Sequence, residues 1–269
     1  LFSAQHPGLG PEIPPAKHPK NPGLMIKEEM VVVLIRCGSC SRVRIELWRG
    51  DDTVKISLIL ANPNLRSFNH AIAGAAADAL QDNGHLVAFH DLYLEGFDPL
   101  LRSTEIPRGA LLEPSIETHC REIASAQGII IVHPNWWGMP PAVLTGWVDR
   151  IMRPGLAYEF LEGDSGEGVP RGLLQARSAL VFNTSNTFVE REQQVFGDPL
   201  ESIWKNCIFG LCGVEEFYRR TFSVVVTSTS EQRREWLEEV RETVDSVFPA
   251  ERRGAMRFIG SSRQSIMHD

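Results

Sequence analysis

The run Gly128 to Val132, GIIIV, most constrains what this chain can fold into. A strand that is apolar at every position offers no face to water, so it must be covered on both sides, as in a parallel sheet between two helical layers. Val54 to Leu60 (VKISLIL) and Arg177 to Phe182 read as further strands, and His85 to His90 and Phe222 to Val226 complete a set of five predicted strands. Helical patterns separate them. Phe68 to Asp82 is rich in alanine and stopped by Asn83-Gly84, and Ser115 to Ala126, Pro140 to Met152 and Leu200 to Leu211 follow. Pro140 and Pro141 stand near the start of their helix, where a missing N–H costs nothing. In the last helix, Glu231 to Phe248, the residues Trp236, Leu237, Val240, Val244, Val247 and Phe248 recur at helical spacing, which assigns Trp236 to the core. Strand and helix alternating in this way predict an α/β, doubly wound parallel sheet.

The flanks read differently. Residues 1–53 are rich in Pro and Gly at their start (Pro7, Gly8, Gly10, Pro11, Pro14, Pro15) and are expected to form a disordered leader. Met25 and Met30 are alternative starting points, so part of that leader is expected to lie outside the mature protein. Residues 54–249 form the expected domain, and 250–269 a flexible tail. Met30 to Ile35 is the longest apolar run near the start, far short of the roughly 20 residues of a spanning helix. Charges flank it on both sides, so it is a poor signal peptide, and the protein reads as cytoplasmic and not membrane-embedded. Lys and Arg number 27 against 34 Asp and Glu, a net charge of −7 that disfavours nucleic acid as a partner. Five scattered cysteines argue against a disulfide framework. Cys37-Gly-Ser-Cys40 has the spacing of a metal or redox site but lacks a second ligand pair, so no metal is expected.

In doubly wound sheets ligands bind beyond the carboxyl ends of the strands, where strand order reverses. Three loops then matter. The first offers Asn62, Asn64, Arg66, Ser67 and Asn69 just before a helix N-terminus, with neither a dinucleotide G-x-G-x-x-G nor a Walker pattern. Hydroxyl, amide and guanidinium donors at the positive end of a helix make an anion site, a reading compatible with Ser67 or Asn69 capping the helix. The second, His133-Pro134-Asn135-Trp136-Trp137-Gly138-Met139-Pro140, carries two adjacent indoles that cannot both point into one core. Either one of them packs against a flat ligand or both plug the sheet edge. His133 reads as hydrogen-bonded structure. The third, Asn183-Thr184-Ser185-Asn186-Thr187, is a run of short polar side chains able to meet the carbonyls and ring nitrogens of a planar cofactor, or simply a polar turn. Together the three describe a phosphorylated flat cofactor, flavin rather than nicotinamide.

With Arg66-Ser67-Phe68-Asn69, the 133–140 loop, Gly146-Trp147-Val148-Asp149-Arg150 and Ala157-Tyr158 in hand, residues 54 to 248 resemble the flavodoxin-like NAD(P)H:quinone oxidoreductases. That group includes DT-diaphorase, reductases of the modulator-of-drug-activity type and the ancillary flavoproteins of potassium efflux systems. The resemblance implies a three-layer fold with a five-stranded parallel sheet in the order 2-1-3-4-5. It implies that Arg66, Ser67, Phe68 and Asn69, with Asn62, hold the phosphate and ribityl part of FAD or FMN. Pro134, Asn135, Trp136, Trp137 and Gly138 would lie along the flavin ring, and Thr184, Ser185, Asn186 and Thr187 would contact it. It also implies NAD(P)H as electron donor, a quinone or similar electrophile as acceptor, and a homodimer with the Trp147 helix and Tyr158 near the interface.

One departure stands out. DT-diaphorase-type enzymes carry a Tyr and a His beyond the third loop, and alignment on Phe196-Gly197-Asp198 puts Glu190 and Phe196 in their places. Hydride transfer belongs to the cofactor and survives that loss, so a flavin-dependent NAD(P)H oxidoreductase is the leading expectation. The alternative is a flavin-binding ancillary subunit of a transporter. FAD is favoured over FMN by resemblance. NADH against NADPH would rest on an arginine such as Arg102, Arg108, Arg153 or Arg171.

Overall fold

The computed structural model describes residues 54–161, 168 and 170–250, together with the backbone of residues 29–37 and 41–49. Those last two segments, β1 (Glu29–Cys37) and β2 (Ser41–Arg49), pair antiparallel and form a unit apart from the main domain. Strand periodicity was therefore present in the leader. Val31 to Ile35 is apolar and, Leu34 apart, β-branched, and Arg42 to Leu47 alternates charged with apolar residues, a signal hidden by the Pro and Gly upstream. The remainder of the leader, Cys40 of the CxxC pair and the tail from 251 onward lie outside the described residues.

The main domain carries a parallel sheet of β3 (Lys55–Leu60), β4 (Leu86–Asp91), β5 (Gly128–Pro134), β8 (Ser178–Ser185) and β9 (Glu216–Ser223) in the order β4-β3-β5-β8-β9. Counted along the sheet's own strands this is the expected 2-1-3-4-5. A small antiparallel pair, β6 (Tyr158–Glu159) and β7 (Arg171–Gly172), lies between β5 and β8 in sequence.

Alternation along the central strands sends side chains to two cores. Ile56, Leu58 and Leu60 of β3, Ile130 and Val132 of β5, and Leu180 and Phe182 of β8 pack under α1 (Phe68–Asp82) and α6 (Ser230–Val247). Ile59, Ile129, Ile131, Ala179 and Val181 face the other layer, α2 (Pro114–Ser125), α3 (Ala142–Ile151) and α5 (Pro199–Glu201). Trp236 is buried against Phe68 and Phe222, as its spacing predicts. Here α5 is one turn, Pro199–Glu201, that widens into a π-helix over Ser202–Gly210.

Besides the unpredicted β6 and β7, two larger elements of the main domain differ from expectation. The fifth strand covers Glu216–Ser223 rather than Phe222 to Val226. It is an edge strand, and its charges are neutralised laterally: Arg219 reaches Asp198 at 2.8 Å and Glu201 at 3.1 Å, and Arg220 pairs with Glu239. The apolar run beyond it turns away as Val225–Thr227, with the Val226 N–H held by Asn186 Oδ1 at 3.0 Å. Between β8 and α5 the chain forms an unpredicted helix, α4 (Val189–Phe196), ended by Gly197 with φ of 71°.

The Gly146 to Arg150 signature is part of this architecture. Gly146 lies against the backbone of Pro99, where a Cβ would collide with the Pro99 carbonyl. Trp147 is wholly buried and donates its Nε1–H to His119 Nδ1 at 3.1 Å. Its indole thus belongs to its own chain's core.

Candidate functional site

At the carboxyl ends of β3, β5 and β8 lies a cavity of about 910 Å³. This is where strand order reverses, because the chain leaves β3 for β4 on one side and returns to β5 on the other. Every residue that the resemblance assigns to the flavin except Arg66 lines it, whereas Asn64 and Asn183, offered by the first and third loops, do not. Arg66 is exposed on the loop, whose turn is held by Asn64 Oδ1 accepting the Arg66 N–H at 3.0 Å, and its guanidinium is not part of the wall.

The first loop builds the polar floor. Ser67 caps α1, its oxygen accepting the His70 N–H at 3.4 Å. The first N–H groups of the helix, lacking partners within it, and its positive dipole end face the site. Asn69 is buried, and its Oδ1 accepts from Asn62 Nδ2 at 2.8 Å and from Thr184 Oγ1 at 3.1 Å. Its Nδ2 is buried and has no hydrogen-bond partner. A buried donor of that kind costs about 1–3 kcal/mol unless an acceptor meets it.

The second loop turns tightly. Trp136 and Met139 exchange backbone hydrogen bonds of 3.1 and 2.9 Å around Trp137 and Gly138, at φ of 59° and 73°. A left-handed tryptophan is costly, and its indole is 96% exposed beside the cavity. Both indoles therefore do not plug the sheet edge. Gly138 meets a close wall, since a Cβ there would lie 3.1 Å from Pro199.

Asn135 is the hinge between loops: its N–H donates to the Thr184 carbonyl at 2.7 Å, its Oδ1 accepts the Gly138 N–H at 3.0 Å, and its Nδ2 donates to Glu192 at 3.0 Å. In the third loop Ser185 accepts the Thr187 N–H at 3.0 Å, and Asn186 reaches Val226. His133 is structural, as read from the sequence. Its Nδ1 bonds the Pro134 carbonyl at 2.8 Å, its Nε2 accepts from Trp204 at 3.0 Å, and burial lowers its pKa to about 4, so the ring is neutral.

Several lining residues escaped the sequence reading: Glu192, Pro199, Val225, Val226 and Arg233. Glu192 and Arg233 are the ionisable side chains of the wall. Arg233 donates to Ser228 Oγ at 2.8 Å and to the Val225 carbonyl at 3.0 Å, sits 6.0 Å from the Phe68 ring centre, and has no carboxylate partner among the described residues. It lies one turn before Trp236 on the stripe that continues through Val240 and Val244, so an arginine on a buried face was its signal. Of the two replacements for the Tyr and His pair, Phe196 lines the cavity and Glu190 is exposed outside it. Arg102, Arg108, Arg153 and Arg171 do not line it.

A second cluster lies outside the cavity, where His90, Glu95 and His119 bring ligand atoms within 4.8 Å. The Trp147 donor into His119 Nδ1 puts that ring's proton on Nε2, facing Glu95 at 3.3 Å, which leaves no lone pair there for a metal. His90 is held between Glu95 at 2.9 Å and Glu122 at 2.5 Å. The hydrogen bonds close on themselves, as in a structural network.

The sequence model of a family described as having a flavodoxin-like fold matches residues 54–248. The chain belongs to that family. This flavodoxin-like chain is 34% identical over 162 residues to an uncharacterized NAD(P)H oxidoreductase of Haemophilus influenzae, covering 59% of this chain and 78% of that protein. It is also 34% identical over 123 residues to NAD(P)H dehydrogenase (quinone) 1 of Cavia porcellus, covering 38% of this chain and 44% of the other. The fold superposes on an NAD(P)H:quinone oxidoreductase from Methanothermobacter marburgensis with a TM-score of 0.63 at 22% identity, covering 72% of this chain and 97% of that one. No helix among the described residues is long and apolar enough to cross a membrane.

Proposed function

We propose that this cavity binds a flavin and that the protein is an NAD(P)H oxidoreductase acting on a quinone or similar electrophilic acceptor. The observation that carries the reading is the buried, unpartnered Nδ2 of Asn69, set in the wall beside the helix N-terminus capped by Ser67. It is a donor waiting for an acceptor where an anionic, oxygen-rich cofactor would lie.

The bound flavin supplies hydride chemistry, accepting from NAD(P)H and giving to the acceptor. What the chain supplies is grip, orientation and dryness. The α1 N-terminus, Ser67 and Asn69 would hold the phosphate and ribityl part, with Arg233 as a wall cation that has no carboxylate partner among the described residues. Trp136 and Trp137 provide flat apolar faces, and Thr184 to Thr187 provide short donors along the ring. Glu192 keeps Asn135, and through it the aromatic turn, in one orientation.

The resemblance favours FAD over FMN, its AMP half extending past the three loops. Trp137, Phe196 and Val226 line the cavity with exposed apolar side chains, and in this reading a second copy of the chain covers them. In this reading the protein acts in the cytoplasm, drawing on the NAD(P)H regenerated there.

The test is the visible spectrum of the purified protein before and after anaerobic addition of NADH or NADPH, followed by chromatography of the released cofactor. A flavin spectrum that bleaches supports the proposal. A flavin that stays oxidised moves the protein to the ancillary-subunit reading, and absence of flavin after reconstitution overturns the site. Light scattering of the purified protein separates dimer from monomer.

A further inference from the structure

The floor of the cavity continues inward as a hydrogen-bonded chain. Ser67 Oγ lies 2.8 Å from His70 Nδ1, and His70 Nε2 lies 2.9 Å from Asp91 Oδ2. Asp91 is buried at the end of β4, and its other oxygen accepts the N–H groups of Tyr93 and Leu94, each at 3.1 Å. Asp91 Oδ2 therefore stands as an acceptor toward His70, which fixes a proton on Nε2. A neutral ring then has only a lone pair at Nδ1, and Ser67 must give its hydroxyl proton to it. In that state Ser67 has no donor left for an anion at the α1 N-terminus.

Protonation of His70 reverses this bond. Nδ1–H donates to Ser67, whose two lone pairs then accept from Nδ1–H and from the His70 backbone N–H, and the hydroxyl proton is free to point outward. Ser67 thereby reaches its full complement of one donation and two acceptances only with an acceptor in the site. A phosphate oxygen is that acceptor, and the imidazolium behind it adds a positive charge to the helix dipole.

We propose that His70 and Asp91 are positioning residues for the cofactor phosphate, and that a phosphorylated flavin binds together with a solvent proton taken up at His70. The inference rests on the flavin reading of the cavity and extends it to how the phosphate is recognised. The ring is bonded by Ser67 from the loop and Asp91 from β4. Of the other charged groups at this corner, Arg66 is exposed, and Glu95 beyond β4 is bonded to His90 and faces His119. Affinity for phosphorylated flavin then rises as pH falls, and riboflavin, without a phosphate, gains nothing.

Calorimetric titration of the apoprotein with FAD, FMN and riboflavin near neutral pH tests this when run in two buffers of different ionisation enthalpy. FAD is the decisive ligand, because its pyrophosphate does not titrate near neutrality. The expected result is net proton uptake with FAD and FMN and none with riboflavin. In His70→Gln the uptake disappears and FAD affinity falls about tenfold, the worth of one charge-assisted hydrogen bond. Asp91→Asn gives the same loss should the His70 variant fail to fold. Imidazole nitrogen shifts of His70 in labelled protein report the doubly protonated ring directly. Tight FAD binding without proton uptake, or uptake unchanged in His70→Gln, overturns this inference and leaves the flavin site standing. Binding of none of the three ligands overturns both.

Discussion

Replacing Arg150 by Met removes the cation from a carboxylate that has no other way to be solvated. Arg150 is wholly buried and Glu105 is 3% exposed. The guanidinium donates from Nε to Glu105 Oε2 at 3.0 Å, from Nη2 to Oε1 at 2.5 Å, and from Nη1 to the Asp98 carbonyl at 2.7 Å. Methionine keeps much of the volume but leaves both Glu105 oxygens unpaired, and breaking a buried pair in this way costs about 3–5 kcal/mol. Against a typical total stability of about 5–15 kcal/mol that is a large fraction. At about 2–4 °C per kcal/mol for a domain of this size, melting falls by roughly 6–20 °C. Urea unfolding of the apoprotein, followed by tryptophan fluorescence, measures the loss directly. The double variant Arg150→Met with Glu105→Leu leaves no orphan charge and recovers at least half of it.

The pH dependence supplies a second check. The Arg150 hydrogen bonds hold the Glu105 carboxyl below the usual range, so in the wild type its contribution is present above the unfolded pKa and lost only as pH falls through the lowered folded value. In Arg150→Met the lone buried carboxyl shifts the other way, and acid relieves it. The gap between the two proteins therefore narrows from about pH 7 toward pH 4, around the ordinary carboxyl range. A loss below about 1 kcal/mol, the scale of a surface pair, or a double variant no more stable than the single one, refutes the reasoning.

Three further outcomes follow from the same geometry. Trp137→Gly relieves a left-handed tryptophan, so apoprotein stability stays level or rises by up to about 1 kcal/mol. Flavin affinity falls roughly fivefold to tenfold with the indole, and a large stability loss in urea would count against this account. Gly146→Ala drives a methyl into the Pro99 backbone and costs about 1–3 kcal/mol, and a neutral result by thermal melting sinks the packing argument. His119 and His133 are held neutral by burial, each with a pKa lowered to about 4. Between about pH 6.5 and that value the unfolded chain binds protons that the folded one does not, so stability declines as pH drops. Substituting both by Gln makes that decline shallower in a pH series of urea midpoints, and an unchanged slope contradicts the assignment.

Much of the fold was legible because its signals are local. GIIIV and VKISLIL announce strands covered on both faces, and alternation of strand with helix, together with the family pattern, gave the sheet order seen here. Ser67 before an alanine-rich run marked a capped helix at the cavity floor. The three loops that line the cavity were found from one rule, that ligands meet such sheets at their carboxyl edge. Charged edge strands are less readable. Glu216 to Ser223 carries two arginines whose ion pairs to Asp198, Glu201 and Glu239 exist only after folding, so the apolar run beside it drew the prediction instead.

The chain's own sequence thus determined its layers and which loops converge, because periodicity and turn chemistry act between neighbours in the chain, whereas the strand order was implied by the family resemblance. Only the tertiary structure decided what individual polar residues do there. It turned Arg66 out of the cavity and brought in Glu192 and Arg233. It made the Gly146 to Arg150 signature a packing device, and it linked Ser67 through His70 to Asp91 across 24 positions of sequence. The physical reason is that a hydrogen bond or ion pair needs both partners within about 3 Å and aligned, and for residues on different strands and helices that proximity is created by the fold.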